Sequence, residues 1–149
     1  MALHVNEKAP DFTLNDQDGN EFSLRRQAGR RLLLVFDPGD GTPVCTRQLC
    51  EYRDGFEEFS DLGVELVGIS PDDARSHRTF RDRHELPFTL LSDSNLEVAR
   101  RYGCKALVGM KRGVFLIDED QVIRYAHVEP LALFRRGKDE LVQVIRQLA

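Results

Sequence analysis

The sequence predicts an α/β sandwich: a mixed central β-sheet flanked by helices, with an N-terminal β-hairpin. Three observations carry this. Leu32 to Phe36 and Val64 to Ile69 are continuous apolar runs, the pattern of strands covered on both faces. After the first run the apolar spacing changes from continuous to every third or fourth residue, the period of a helix. Near the C-terminal end, Val114 to Ile117 and Val122 to Ala126 flank Asp118-Glu119-Asp120-Gln121, which reads as a second hairpin.

Taken in order, Phe12-Thr13-Leu14 is a short strand, Asp16-Gln17-Asp18-Gly19-Asn20 a turn, and Glu21-Phe22-Ser23-Leu24 the returning strand. Pro38 to Pro43 ends the first buried strand with turn chemistry. Thr42 then suits a helix N-cap, and Pro43 suits the first helical turn. Leu49, Tyr52, Phe56 and Phe59 define one apolar face of a single helix that Gly63 terminates. Ser70-Pro71-Asp72-Asp73 opens another helix with a cap and an acidic first turn. Pro87 precedes a strand from Phe88 to Leu91, and a helix from Asn95 to Tyr102 follows. Lys138 to Leu148 closes the chain as an amphipathic helix with Leu141, Val144, Ile145 and Leu148 inward. A hairpin after two βα crossovers is a thioredoxin-like organisation.

At 149 residues and 17.0 kDa, with no repeat, linker or low-complexity stretch, residues 1–149 are expected to form one domain. A hydrophobic fraction of 41% against 31% charged residues excludes a disordered tail. The formal charge is −4, from 21 basic and 25 acidic side chains, so no global field favours nucleic acid or a membrane surface. The longest apolar run is far short of a membrane span, and residues 1–8 lack the layout of a secretory signal. A cytoplasmic address is expected, where a transient disulfide is more plausible than a permanent one.

Three cysteines are too few, and odd in number, for a secreted disulfide scaffold. Cys45 stands out because it falls in the first turn of a helix that follows a buried strand. Unpaired backbone N–H groups and the positive end of the helix dipole favour a thiolate there. Cys50 follows five residues later. In a regular helix such a step places the two Cα atoms about 8.5–9 Å apart. A disulfide requires Cα atoms within about 7 Å. If the two cysteines bond, the first helical turns must unwind. The pair is thus unlike a Cys-x-x-Cys redox motif, and no metal site is expected: His4, His77, His84 and His127 show no ligand spacing.

Pro38-Gly39-Asp40-Gly41-Thr42-Pro43-Val44-Cys45 resembles the Pro-x-x-x-Thr-x-x-Cys signature of the peroxiredoxins. Extended through Thr46-Arg47-Gln48-Leu49-Cys50, the segment is similar to the bacterioferritin comigratory protein, or peroxiredoxin Q, subfamily, an atypical two-cysteine group. The resemblance runs from Ala9-Pro10-Asp11-Phe12 to Phe115-Leu116-Ile117-Asp118. It implies a peroxidatic Cys45, a resolving Cys50, an orienting Thr42, and a site arginine at Arg112, which by itself reads as a loop charge. It also implies Pro38, Pro43 and Val44 at the substrate. The implied activity is reduction of hydrogen peroxide and organic hydroperoxides without metal, flavin or haem, with recycling by thioredoxin or glutaredoxin in a monomer.

Several positions depart from the family pattern. Asp37 replaces a frequent aromatic, Gly39 and Gly41 replace charged residues, Val44 replaces glycine, and Gln48 replaces glutamate. These changes are expected to tune rate or substrate preference. Cys104 is expected to be a small buried or semi-exposed packing residue, the alternative being a minor role as a second resolving thiol or mixed-disulfide site, which the resemblance does not support. Two other classes compete. A thioredoxin-like binding or chaperone module needs none of Thr42, Cys45 and Arg112. A disulfide oxidoreductase wants a Cys-x-x-Cys that the sequence lacks.

Overall fold

The two apolar runs lie side by side at the centre of a seven-stranded sheet in the computed structural model, which describes residues 4–39, 43–107, 109–129 and 138–148. They form β3 (Arg31–Phe36) and β4 (Val64–Ser70), paired in parallel, with β5 (Thr89–Ser92) parallel beyond β4. The N-terminal hairpin is β1 (Thr13–Asp16) and β2 (Glu21–Ser23), and β1 joins the outer side of β5 antiparallel. The C-terminal hairpin, β6 (Gly113–Ile117) and β7 (Ile123–Val128), joins the other side of β3 antiparallel. The sheet is therefore mixed, in the order β2-β1-β5-β4-β3-β6-β7.

Alternation along the central strands explains why each run is apolar throughout. Leu32, Leu34 and Phe36 face one core with Phe12, Phe115, Tyr102 and Cys104, whereas Leu33 and Val35 face a second core. That second core is completed by Leu49 and Tyr52 of α1 (Pro43–Asp54), Phe59 of α2 (Phe56–Asp61), Phe80 of α3 (Ala74–His84), and Leu141 and Ile145 of α5 (Lys138–Leu148). The first core is covered by α4 (Glu97–Arg101) through Val98 and Ala99. Among the described residues, no helix is long and apolar enough to cross a membrane.

Four helix expectations need correction. The single helix ending at Gly63 is two, broken at Gly55, although the apolar face runs on through Phe59. A Cβ at Gly55 would lie 2.5 Å from Cδ of Lys138, so α5 crosses closely over the break. Gly63 does end α2, with a left-handed φ of 72°. The first turn of α3 is not acidic: Asp73 is its N-cap, accepting from Ser76 N at 2.8 Å, and Asp72 lies outside the helix. The helix expected from Asn95 starts at Glu97, because Leu96 has a left-handed φ of 57° and the Asp93 carboxylate accepts from Val98 N and Ala99 N. In α5, Val142 is buried while Leu148 is 37% exposed, so the inward face is rotated toward Leu141, Val142 and Ile145.

Gly113 opens β6 and allows close approach of Cys104. A Cβ there would lie 2.6 Å from Cys104 Sγ and 3.3 Å from Phe115 Cε1. Gly113→Ala should destabilise the protein by about 1–3 kcal/mol in denaturant titration. Pairing it with Cys104→Ala should recover part of that loss, and additive effects would show that the contact does not limit packing.

Candidate active site

The site region begins where β3 ends. Asp37 is buried, its backbone N donates to Ile69 O at 2.9 Å, and its Oδ1 accepts from Gly39 N at 3.2 Å. The residue that departs from the family's usual aromatic thus turns the chain out of the sheet through a local side-chain bond. Pro38 is half-buried, and Gly39 is buried with a Cβ position 3.5 Å from Asp72 Oδ2. Asp40, Gly41 and Thr42 lie outside the described residues, as do the side chains of Pro43, Val44 and Cys45. The backbone of Pro43, Val44 and Cys45 forms the first turn of α1, so Cys45 occupies the helix N-terminus that the sequence predicted.

Arg112 immediately precedes β6 and is 2% exposed, which removes it from the category of solvated loop charges. Antiparallel pairing of β6 with β3 brings it to the end of the strand that leads into α1, with Phe36 opposite Gly113. Its NH1 donates to Gln48 Oε1 at 2.9 Å, and Gln48 Nε2 donates to the Tyr52 hydroxyl at 3.0 Å. Gln48 and Tyr52 are both fully buried. The structure thus brings Arg112 to the helix of Cys45, three residues beyond the cysteine in sequence. A guanidinium held in a low-dielectric site can stabilise a thiolate and the negative charge that develops on a departing oxygen.

Sequence reasoning noted Gln48 as a lost charge and Tyr52 as core, without seeing that they form one hydrogen-bonded series with Arg112. The available signal was the i, i+4 spacing of Gln48 and Tyr52 on the helix whose first turn holds the cysteine. Cys50 is half-buried on α1, and its Sγ lies 3.7 Å from Nδ1 of His84. Cys104 belongs to the core on the opposite face of the sheet from Leu49 and Tyr52, as expected for a packing residue. Among the described residues, no group of three His, Cys, Asp or Glu side chains has the arrangement of a metal site. The groove bounded by Arg31, Val64 and Phe88 lies at the opening ends of β3 and β4, the opposite end of the strands from Arg112.

Two measurements follow from this geometry. Gln48→Glu keeps the shape and can accept from both Arg112 and the Tyr52 hydroxyl, but places a carboxylate against the guanidinium. The rate constant for thiol oxidation should fall by about three- to tenfold, to different extents for hydrogen peroxide and a bulky organic hydroperoxide. Identical constants for both substrates in both proteins would remove Gln48 from rate control. Burial pushes the Cys104 thiol from 9.0 up to about 12. Native Cys104 should therefore react with iodoacetamide at pH 8 about a hundredfold or more slowly than in denaturant. Above pH 9 the unfolded thiol loses its proton while the native one keeps it, so stability should decline as pH rises toward 12. That decline should be shallower in Cys104→Ala.

Comparison with known proteins places this geometry in a family. The AhpC/TSA family model matches residues 5–126. A chloroplastic peroxiredoxin Q from Oryza sativa subsp. japonica is 44% identical over 122 residues, covering 80% of this chain and 56% of the rice protein. The chain therefore spans little more than half the length of that plant relative. A bcp peroxiredoxin from Coxiella burnetii is 40% identical over 131 residues, covering 83% of this chain and 87% of the relative. Among solved structures, peroxidoxin BcpB from Mycobacterium tuberculosis superposes with a TM-score of 0.88 at 28% identity, covering 97% of both chains. Xanthomonas campestris peroxiredoxin Q shares the fold, with a TM-score of 0.82 at 24% identity over 91% of this chain and 90% of the other. A helix with Cys45 in its first turn, a buried arginine delivered to it by β6, and these relatives lead to one conclusion: the chain belongs to the AhpC/TSA family, among the peroxiredoxins of the Q and bcp type.

Proposed function

We propose that the chain is a thiol-dependent peroxidase that reduces hydrogen peroxide and organic hydroperoxides, using Cys45 as peroxidatic and Cys50 as resolving cysteine. The observation that carries the proposal is Arg112. A 2%-exposed guanidinium hydrogen-bonded to Gln48, on the helix that Cys45 opens, is costly to bury and serves anion chemistry at that helix.

In the proposed cycle the Cys45 thiolate attacks one peroxide oxygen and the O–O bond breaks. The second oxygen leaves with the bonding pair and is protonated to water or an alcohol, leaving Cys45 as a sulfenic acid. Arg112 stabilises the thiolate and the leaving oxygen. The Thr42 hydroxyl orients the peroxide, the Cys45 backbone N–H donates to it, and Pro38, Pro43 and Val44 line the substrate site. The Cys50 sulfur then attacks the sulfenic sulfur, forming a disulfide and releasing water. A dithiol protein, thioredoxin or glutaredoxin, restores both thiols by exchange. Since the resolving thiol is on the same chain, the reaction requires no second subunit, and a single-domain monomer in the cytoplasm is the proposed working form.

Cys45→Ser should abolish peroxide consumption. Cys50→Ser should consume about one equivalent of peroxide per chain and then stop turning over with thioredoxin and its reductase. Both are read by peroxide loss against reductant oxidation. Full thioredoxin-coupled turnover by Cys45→Ser would overturn the assignment.

A further inference from the structure

Cys50 shares its place on α1 with a base from another helix. Its Sγ lies 3.7 Å from Nδ1 of His84, the last residue of α3 and 34 positions away in sequence. That contact is well supported. The His84 ring stacks at a tilt on Phe80, with centroids 4.7 Å apart. The His84 carbonyl, one of those a helix end leaves without an intrahelical partner, accepts from Arg53 NH1 at 2.7 Å. Arg53 lies on α1 three residues beyond Cys50, so the face that presents the thiol is tied to the end of α3. Glu85 then takes a left-handed φ of 52°, and Leu86 N closes the helix end onto Arg81 O.

We propose that His84 is the acid–base residue of the resolving step: its Nδ1 takes the Cys50 proton as that sulfur attacks oxidised Cys45, then returns it to the departing oxygen. The inference rests on the peroxidase reading above. Cys50 S–H loses its proton to His84, and the sulfur's electron pair forms the new S–S bond. The S–O bond of Cys45 sulfenic acid breaks, hydroxide leaves, and the imidazolium proton converts it to water. Cys50 is oxidised, the Cys45 sulfur is reduced, and His84 ends neutral, so no further reactant is needed. The role requires the tautomer with Nδ1 as acceptor and Nε2 protonated.

Anchoring decides which cysteine travels. Gln48, Leu49 and Tyr52 around Cys50 are fully buried, and Glu51 Oε1 accepts from Lys138 N at 2.6 Å. With Arg53 fixed to α3 as well, the part of α1 that carries Cys50 stays folded while the turn bearing Cys45 unwinds toward it. His84 can then remain at the Cys50 sulfur throughout the attack. Arg53 carries positive charge between the two helices, with Asp54, Glu85 and Cys50 acting on it. Arg53 is held above its ordinary value first by its hydrogen bond to Asp54, and further by the charges of Cys50, Asp54 and Glu85, against a desolvation effect that lowers it.

The test uses the full chain, reduced and mixed with one equivalent of hydrogen peroxide at pH 7. Timed quenching with dimedone and N-ethylmaleimide, read by intact mass, separates sulfenic acid from disulfide. In His84→Ala the sulfenic acid should still form, but the disulfide should appear about ten- to thirtyfold more slowly, because an unassisted thiol is only a few per cent ionised at neutral pH. Imidazole added to the buffer should restore the rate in proportion to its concentration, which a purely structural role would not allow. His84→Asn, which keeps a polar side chain without a base, should slow the same step and supplies the reading if the alanine variant fails to fold. Disulfide formation at the wild-type rate in either folded variant, or a slow alanine variant indifferent to imidazole, would overturn the role of His84 alone. Absence of both sulfenic acid and disulfide in the wild type after peroxide would overturn the peroxidase reading and this inference with it.

Discussion

A buried guanidinium sets the terms for this structure. Removing an ionised group from water costs several kcal/mol unless its N–H groups are satisfied, and Arg112 is 2% exposed. Gln48 satisfies one of them with a neutral oxygen at 2.9 Å. Meeting that demand constrains much else. β6 must pair with β3 in the register that sets Gly113 opposite Phe36, and α1 must turn Gln48 toward the sheet. Tyr52, one turn further on, must be buried with its hydroxyl on the Gln48 amide. Sheet register, helix rotation and site charge are therefore aspects of one arrangement.

The fold was legible where a signal was local and strong. Apolar runs marked β3, β4 and β6, and the amphipathic period marked α5 with the bounds observed. Errors arose where a distant residue decides a local outcome. The apolar face from Leu49 to Phe59 does run on, yet the helix breaks at Gly55 because Lys138, 83 positions later, crosses there. Asn95 could not start α4 because Asp93 engages the amides of Val98 and Ala99 instead. Arg112 had no local signal, since its burial is created by the pairing of β6 with β3, and only family resemblance singled it out. His84 was weighed as a metal ligand, and its contact with Cys50 depends on the angle at which α3 meets α1, which no sequence pattern encodes.

The three cysteines illustrate how environment assigns chemistry to identical side chains. Cys45 opens a helix, where the backbone offers donors and partial positive charge. Cys50 faces an imidazole across a helix pair, half-open to solvent. Cys104 is sealed behind the sheet among Tyr102, Phe115 and Met110, where burial keeps it protonated. Fold geometry, through helix position, inter-helix contact and sheet face, distributes these three environments.

The break at Gly55 bears on cooperativity. A continuous helix from Pro43 to Asp61 would behave as one hydrogen-bonded ladder, in which loosening one end lowers the cost of loosening the next turn. Gly55 N still donates to Glu51 O, but beyond it α2 starts a new ladder with its own anchor, Phe59 in the core. The discontinuity acts as a firebreak. Melting that began at the Cys45 end would have no continuous helical ladder by which to reach α2, so a local rearrangement there would leave the layer beneath it intact.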